Sequence, residues 1–188
     1  MTAGRNSWRP TILALGAALV LTGCGSSADD ATPTGTPSAS PSIAADVPTG
    51  YDPCTDIPQS VLDSENLRSK DREDSNASGG VKWRGCMWAQ PDGYLPIIRT
   101  TNLTVDMVRD KKFADTREYT INGRRSISTR QVEEQPGAVC VVNVEMKGGS
   151  LEFFLSNQPS NSRTGHLDTC NLARTLAEKV VPTMPATV

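Results

Sequence analysis

A short apolar run near the start of the chain, residues 12–21, indicates which part of the sequence is removed and which part folds. Two arginines precede this run, and small residues separate it from Cys24. A charged start, an apolar middle and a small-residue end are typical of a secretory signal peptide. The run is too short to cross about 30 Å of hydrocarbon as a helix. We therefore predict that residues 1–23 are a removable signal peptide and that the rest of the chain is exported.

The residues that end the signal peptide, Leu21-Thr22-Gly23-Cys24, resemble the lipobox of bacterial lipoproteins. The resemblance implies that Cys24 becomes the lipidated N-terminus of the mature protein, carrying a diacylglyceryl group and palmitate. Two or more acyl chains hold a protein stably on a bilayer, whereas one chain binds only marginally. We expect a lipid anchor on Cys24 at the outer face of the plasma membrane. The alternative is an ordinary secretory cleavage site beside a cysteine.

The segment after Cys24 is rich in Ser, Thr, Pro, Ala and Gly and contains no aromatic residue up to position 50. Such a composition buries too little apolar surface to offset the chain entropy lost on folding. We predict that residues 24–50 form a disordered tether and that residues 51–188 form one globular domain. A length of 138 residues is typical of a single domain with one core.

The predicted domain is almost neutral, with 17 Lys and Arg against 18 Asp and Glu. It contains no run of basic residues. This balance argues against nucleic-acid binding and against a polybasic membrane-binding patch.

Four cysteines remain in the predicted domain, at positions 54, 86, 140 and 170. An even number of cysteines in an exported domain indicates two disulfides. Of the three possible connectivities we favour Cys54–Cys86 with Cys140–Cys170, because each bridge then links neighbouring elements. A zinc site is the alternative, and the absence of a CxxC pair and the single histidine argue against it. No metal and no cofactor is predicted.

Apolar periodicity and turn residues predict an α+β domain, with an antiparallel sheet of about five to six strands and helices packed on it. Asn122-Gly123 is the strongest hairpin signal, and residues 147–150 form a second one. Gly85 suggests a bulge and Pro96 suggests an edge strand or a kink. An extended segment is predicted at 52–54 and a surface loop at 68–80. Helices are predicted at 57–62, at 168–181 and in the segment that follows Asn102 or Thr104. Strands are predicted at 81–88, 94–100, 118–121, 124–128, 139–146 and 151–155.

Several short motifs in this order resemble one family, the actinobacterial lipoproteins with domain of unknown function 3558. They are Asp52-Pro53-Cys54, residues 83–88 (WRGCMW), Asn122-Gly123-Arg124, Cys140 and Asp168-Thr169-Cys170. The resemblance covers most of residues 51–188. It implies two disulfides, a membrane anchor and a mycolate-type cell envelope. It implies no activity and no catalytic residues.

Catalytic signals are weak throughout the predicted domain. His166 is the only histidine, and a Ser-His-Asp site around Ser156, Ser160 or Ser162 would lack the G-x-S-x-G motif. We interpret His166 as a loop residue and Asp168 as a helix cap. The carboxylate pairs Asp71 with Asp74 and Glu133 with Glu134 lie in hydrophilic segments, where nothing would shift their pKa values. We predict no catalytic residue.

Three aromatic residues, Trp83, Trp88 and Tyr94, are the candidate ligand or partner surface, although we expect at least two of them in the core. We expect a non-enzymatic module that binds an envelope protein, lipid or glycan. The alternative is a small hydrolase of envelope polymers. An enclosed apolar pocket would favour a lipid, whereas an exposed apolar patch would favour a protein partner.

Overall fold

The computed structural model describes residues 42–132 and 134–188. The predicted signal peptide, Cys24 and residues 24–41 of the predicted tether lie outside these ranges. The elements in chain order are α1 (Pro53–Asp56), α2 (Gln59–Ser64), β1 (Arg68–Arg72), β2 (Ser75–Asn76), β3 (Lys82–Ala89), β4 (Leu95–Thr101), α3 (Val105–Asp110), β5 (Ala114–Ile121), β6 (Arg124–Arg130), β7 (Val139–Met146), β8 (Gly149–Ser156) and α4 (Thr169–Val180). Within the described residues, none of the helices is both long and apolar enough to cross a membrane.

The strands form one antiparallel sheet in the order β1-β3-β4-β8-β7-β6-β5, with β2 also paired to β3. The predicted α+β class is confirmed, but the sheet has eight strands rather than about five to six. The two additional strands, β1 and β2, lie in the segment predicted as a surface loop. Every residue of β1 is exposed, so no apolar alternation marks it. It is held by backbone pairing to the edge of β3.

Both predicted hairpins are present, because their turn residues allow left-handed backbone angles. Asn122 and Gly123 have φ angles of 47° and 81° and join β5 to β6. This pair of angles suits the twist of a two-residue hairpin. In the second hairpin the turn is shorter than predicted, since β8 already begins at Gly149.

For the strand pair β3–β4, the bulge predicted at Gly85 and the edge position, one of the two alternatives given for Pro96, are wrong. Gly85 pairs in regular register with Arg99, so it forms no bulge. A Cβ atom at Gly85 would lie 2.2 Å from the carbonyl oxygen of Ile98, so the glycine permits a close approach of the two strands. Pro96 lies in a strand with neighbours on both sides, and not at an edge. It is tolerated because it lies one residue beyond the last β3–β4 pair, Met87 with Ile97.

The helices begin at capping residues that the sequence supplies. Asp52 caps α1 by accepting a hydrogen bond from the backbone N–H of Cys54, so only Asp52 keeps the extended conformation predicted for residues 52–54. Pro53 starts the helix, a position where its missing N–H costs nothing. Thr104 caps α3, and Asp168 caps α4 as predicted.

One face of the sheet, which we call the closed face, carries most of the core. Helix α4 packs against β6, β7 and β8, and α1 packs against β3 and β4. The favoured cysteine pairing is confirmed: Cys54–Cys86 joins α1 to β3, and Cys140–Cys170 joins β7 to α4. The core residues on this side include Trp88, Ile98, Val142, Val144, Leu151, Phe153, Leu155, Ala173, Leu176 and Val180.

Residues 42–50, the end of the predicted tether, contact the domain surface. The fully buried Asn102 side chain donates hydrogen bonds from Nδ2 to the carbonyl oxygens of Ala44 at 2.8 Å and Gly80 at 2.9 Å. Ile43 packs against the second apolar cluster, which is centred on α3 and β6. Ordered contacts therefore begin several residues before Tyr51.

Candidate functional site

The three aromatic residues predicted as a ligand surface do not lie together. Trp88 and Tyr94 are each only 2% exposed and belong to the core of the closed face. The Tyr94 hydroxyl donates to Glu65 Oε2 at 2.6 Å, and burial together with Glu65 raises the pKa of Tyr94 well above its ordinary value. Neither residue can contact a ligand without unfolding. Trp83 alone remains half-buried.

Trp83 lies on the opposite face of β3 from Cys86 and Trp88, because side chains alternate along a strand. Met87 shares the face of Trp83 and is also half-buried.

A row of half-buried apolar side chains crosses this second face. Met87 pairs with Ile97, and Ile97 pairs in turn with Phe154, so the three side chains stand side by side on β3, β4 and β8. Helix α3 packs against β6 and β7, and the apolar cluster that it forms with β6 reaches Trp83 but does not include the three side chains of the row. We call the surface formed by Trp83, Met87, Ile97, Arg99 and Phe154 the open face.

A buried carboxylate lies at the centre of the open face. Glu152 is 3% exposed and pairs across strands with Arg99. Arg99 Nε donates to Glu152 Oε1 at 2.7 Å, and Nη2 forms an ion pair with the same oxygen at 2.7 Å. Trp83 Nε1 donates to Oε2 at 3.1 Å. Asn143 Nδ2 approaches the same oxygen at 3.5 Å. Charged and polar donors therefore satisfy both oxygens of this buried carboxylate.

The Arg99 guanidinium is held between two aromatic rings. Its central carbon lies 4.9 Å from the ring centre of Trp83 and 6.0 Å from that of Phe154. Such contacts are attractive because the ring faces carry negative potential. Arg99 is therefore fixed in one conformation by Glu152 and by two aromatic neighbours. This arrangement presents a rigid surface and no reactive group.

The sequence contained a signal for Arg99 and Glu152 that the predictions did not use. Glu152 is the one charged residue in the apolar strand β8, and Arg99 is the one charged residue in β4. A charged side chain in the middle of an apolar strand must find a partner if it is buried. Two such residues of opposite charge on different strands suggest a buried pair, although only the register shows that they face each other.

The other predicted candidates lie apart from the open face. His166 is exposed in the turn before α4, and none of the hydrogen bonds among the described residues joins it to a serine or a carboxylate. Asp74 pairs with Arg72 at 3.1 Å and accepts a hydrogen bond from Gly85 N. Asp71 is exposed, and Glu133 lies outside the described residues. The described part of the chain contains no group of three or more His, Cys, Asp or Glu side chains placed to hold a metal ion.

A family model described as a protein of unknown function, DUF3558, matches residues 19–183. The chain belongs to this family. The match includes all described elements, from α1 to the end of α4, and begins within the apolar run before Cys24. The resemblance inferred from the short motifs is confirmed at the level of the family. No curated protein and no solved structure matches the chain.

Proposed function

We propose that this protein is a lipid-anchored lipoprotein at the outer face of an actinobacterial plasma membrane, where it binds a protein partner through the open face. It acts by binding and has no catalytic activity. The observation that carries this proposal is the row Met87–Ile97–Phe154 beside Trp83, whose apolar side chains are only half-buried, whereas the apolar side chains of the closed face form the main core.

The residue types of the open face support a protein partner. Aromatic residues, Met and Arg are enriched in protein interfaces, and Trp and Arg are common among the residues that dominate binding energy. The open face combines Trp83, Phe154, Met87 and Arg99 within a few strands. Because Arg99 is already fixed, binding would order few additional side chains and would lose little conformational entropy.

The same geometry argues against the other envelope ligands. A lipid tail needs an enclosed apolar cavity, whereas the open face is a sheet surface. A sugar ring would stack on an exposed aromatic face, but the guanidinium of Arg99 already lies over the ring of Trp83 at 4.9 Å. A protein surface with apolar side chains fits this face better than a lipid or a glycan.

The sequence around Cys24 supports the membrane anchor, and the two disulfides are consistent with export, because disulfides persist in oxidising compartments. Intact mass of the membrane-extracted protein tests the anchor. We expect a chain that starts at Cys24 and carries acyl mass, and we expect Cys24→Ser to release the protein from the membrane fraction. A mature chain that starts elsewhere and carries no lipid would contradict the anchor.

Site-specific photo-crosslinking in living cells tests the partner surface. A photoreactive residue at Ile97 should give a discrete crosslinked product, because it lies at the centre of the row. The matched control places the same residue at Thr120, which is exposed on the edge strand β5. A product of twice the chain mass would identify a second copy as the occupant and contradict a heterologous partner. Equal products from both positions, or none from Ile97, would contradict the proposed surface.

A further inference from the structure

A small cavity of about 160 Å³ lies on the closed side of the sheet, between the β5–β6 strands and the first turns of α4. Three arginines line it: Arg117 from β5, Arg130 from β6 and Arg174 from α4. We call it the arginine cavity. It lies on the other side of the sheet from the open face and is independent of the function proposed there.

The charged groups that line the arginine cavity are not all paired with one another. Two carboxylates, of Asp115 and Asp168, line the cavity with the three guanidinium groups. Arg130 pairs with both of them, at 3.1 Å to Asp115 and 2.7 Å to Asp168, and its side chain is 12% exposed. Arg174 pairs with Glu178 at the rim, so Arg117 is the lining arginine that pairs with none of the described carboxylates.

The two remaining arginines are placed to reach an incoming group. Arg174 lies over the ring of Tyr119, with its guanidinium carbon 5.1 Å from the ring centre, and pairs at the rim with the exposed Glu178. Arg117 is exposed and makes no ion pair with any residue that the structure describes. A guanidinium group can donate two parallel hydrogen bonds to a carboxylate or a phosphate.

The cavity also holds a hydroxyl group without a partner. The oxygen of the Tyr119 hydroxyl is buried and has no hydrogen-bond partner among the described residues. A buried polar group without a partner costs free energy, and such a group in a native protein calls for a specific reason. Burial raises the pKa of Tyr119 to about 12, and the charge of Arg174 and the nearby Ser128 hydroxyl offset only part of that rise. Ser128 is close to the Tyr119 hydroxyl but does not meet hydrogen-bond geometry with it. The hydroxyl therefore stays protonated at neutral pH and can donate a hydrogen bond.

We propose that the arginine cavity binds a small oxyanion, a phosphate or carboxylate group, held by Arg117 and Arg174 and receiving a hydrogen bond from the Tyr119 hydroxyl. The oxyanion supplies the acceptor that Tyr119 lacks and provides the counter-charge that Arg117 lacks among the described residues. A volume of about 160 Å³ admits such a group but is below the size of pockets that enclose whole drug-sized ligands. The bound group is therefore a free ion or the end of a larger molecule.

Ligand-observed phosphorus NMR on the full chain in non-ionic detergent tests the proposal, with inorganic phosphate as the probe. We expect saturable line broadening of the phosphate signal. Arg117→Gln and Arg174→Gln should each weaken the affinity about tenfold or more, because each removes a charge-assisted hydrogen bond. The matched control is Arg68→Gln, an exposed ion-paired arginine on β1 at the opposite edge of the sheet.

The Tyr119→Phe variant distinguishes a role of the hydroxyl in phosphate binding from a role in the stability of the fold. It should lower phosphate affinity while the thermal midpoint of the unliganded chain stays the same or rises, because the substitution removes a hydroxyl without a partner. If glycerol phosphate displaces inorganic phosphate, the site binds a phosphate group at the end of a larger molecule. If it does not, the site binds the free ion. Displacement by acetate would show that the site also binds carboxylates. Absence of saturable broadening, full affinity in Tyr119→Phe, or an equal loss in Arg68→Gln would overturn the proposal.

Discussion

The two faces of the sheet carry alternate residues of the same strands, yet they differ in how far helices cover their apolar side chains. On the closed face, α1, α2 and α4 cover apolar side chains, and two disulfides tie helices to strands. On the open face, the strands β3, β4 and β8 leave apolar side chains half-exposed around a buried ion pair. The stability of the fold explains the closed face, because its apolar side chains are removed from water. The open face leaves apolar surface in contact with water in the unbound chain, which is expected of a surface that binds a partner.

Reduction of both disulfides should give the largest loss of stability. In the chain-entropy account, each bridge closes a loop of about 30 residues and stabilises the folded chain by about 3.7 kcal/mol, so the two together contribute about 7 kcal/mol. Urea unfolding with and without reductant, followed by circular dichroism, measures the effect. Both bridges lie on the closed face, so a reduced chain that keeps its full free energy of unfolding would contradict the view that this face stabilises the fold.

Phe153 and Phe154 offer a matched comparison of the two faces, because they are sequence neighbours in β8. Phe153 is fully buried on the closed face, and Phe154 is half-buried on the open face. We expect Phe153→Ala to lower the free energy of unfolding by about 3–5 kcal/mol, since it leaves a cavity. Phe154→Ala should cost only about 1 kcal/mol. Similar losses for both variants in urea unfolding would show that the open face is also part of the core.

The ion pair at the centre of the open face can be tested by a double-mutant cycle. Glu152→Leu alone or Arg99→Met alone should cost about 3 kcal/mol, because each leaves its charged partner without a counter-charge. The double substitution should recover part of that loss, since it removes both charges. Recovery is incomplete because Trp83 Nε1 loses its acceptor. Losses that simply add in the double variant would contradict direct coupling between the two side chains.

A smaller effect is expected at alkaline pH, where the buried tyrosines of the closed face lose protons. Burial raises the pKa of Tyr51 to about 12, from an ordinary value near 10. A raised pKa in the folded chain means that the stabilisation is complete below pH 10 and is lost as the pH rises toward 12. Tyr51→Phe should flatten this decline in urea unfolding between pH 9 and pH 11.5. An unchanged slope in the variant would contradict this assignment.

The local features of the fold were predictable from the sequence because each has a local cause. The Asn122-Gly123 turn needs two positive φ angles, Asp168 caps a helix with a regular apolar stripe, and the cysteine spacing favours neighbouring bridges. The strand β1 was missed because all its residues are exposed and polar, and its stability comes from backbone pairing with β3.

The open face could not be predicted in the same way. In β8, Phe154 is the one apolar residue on a side that otherwise carries Ser150, Glu152 and Ser156, so alternation does not show that this side has an apolar surface. The expectation that at least two of the three aromatic residues lie in the core is confirmed by Trp88 and Tyr94, but residue type did not show which one stays on the surface. Which apolar side chains remain exposed depends on where α3 and α4 pack, and that placement is set by contacts between residues distant in the sequence.

The most direct test of the central claim is crosslinking from Ile97 in living cells, repeated with Phe154→Ala and with Leu167→Ser. Leu167 is an exposed apolar residue, 43% accessible, outside the open face. We expect Phe154→Ala to reduce the crosslinked product strongly at an unchanged protein level. We expect Leu167→Ser to leave the amount of crosslinked product unchanged. An unchanged product with Phe154→Ala, or an equal reduction with Leu167→Ser, would contradict the claim that the open face is the binding surface.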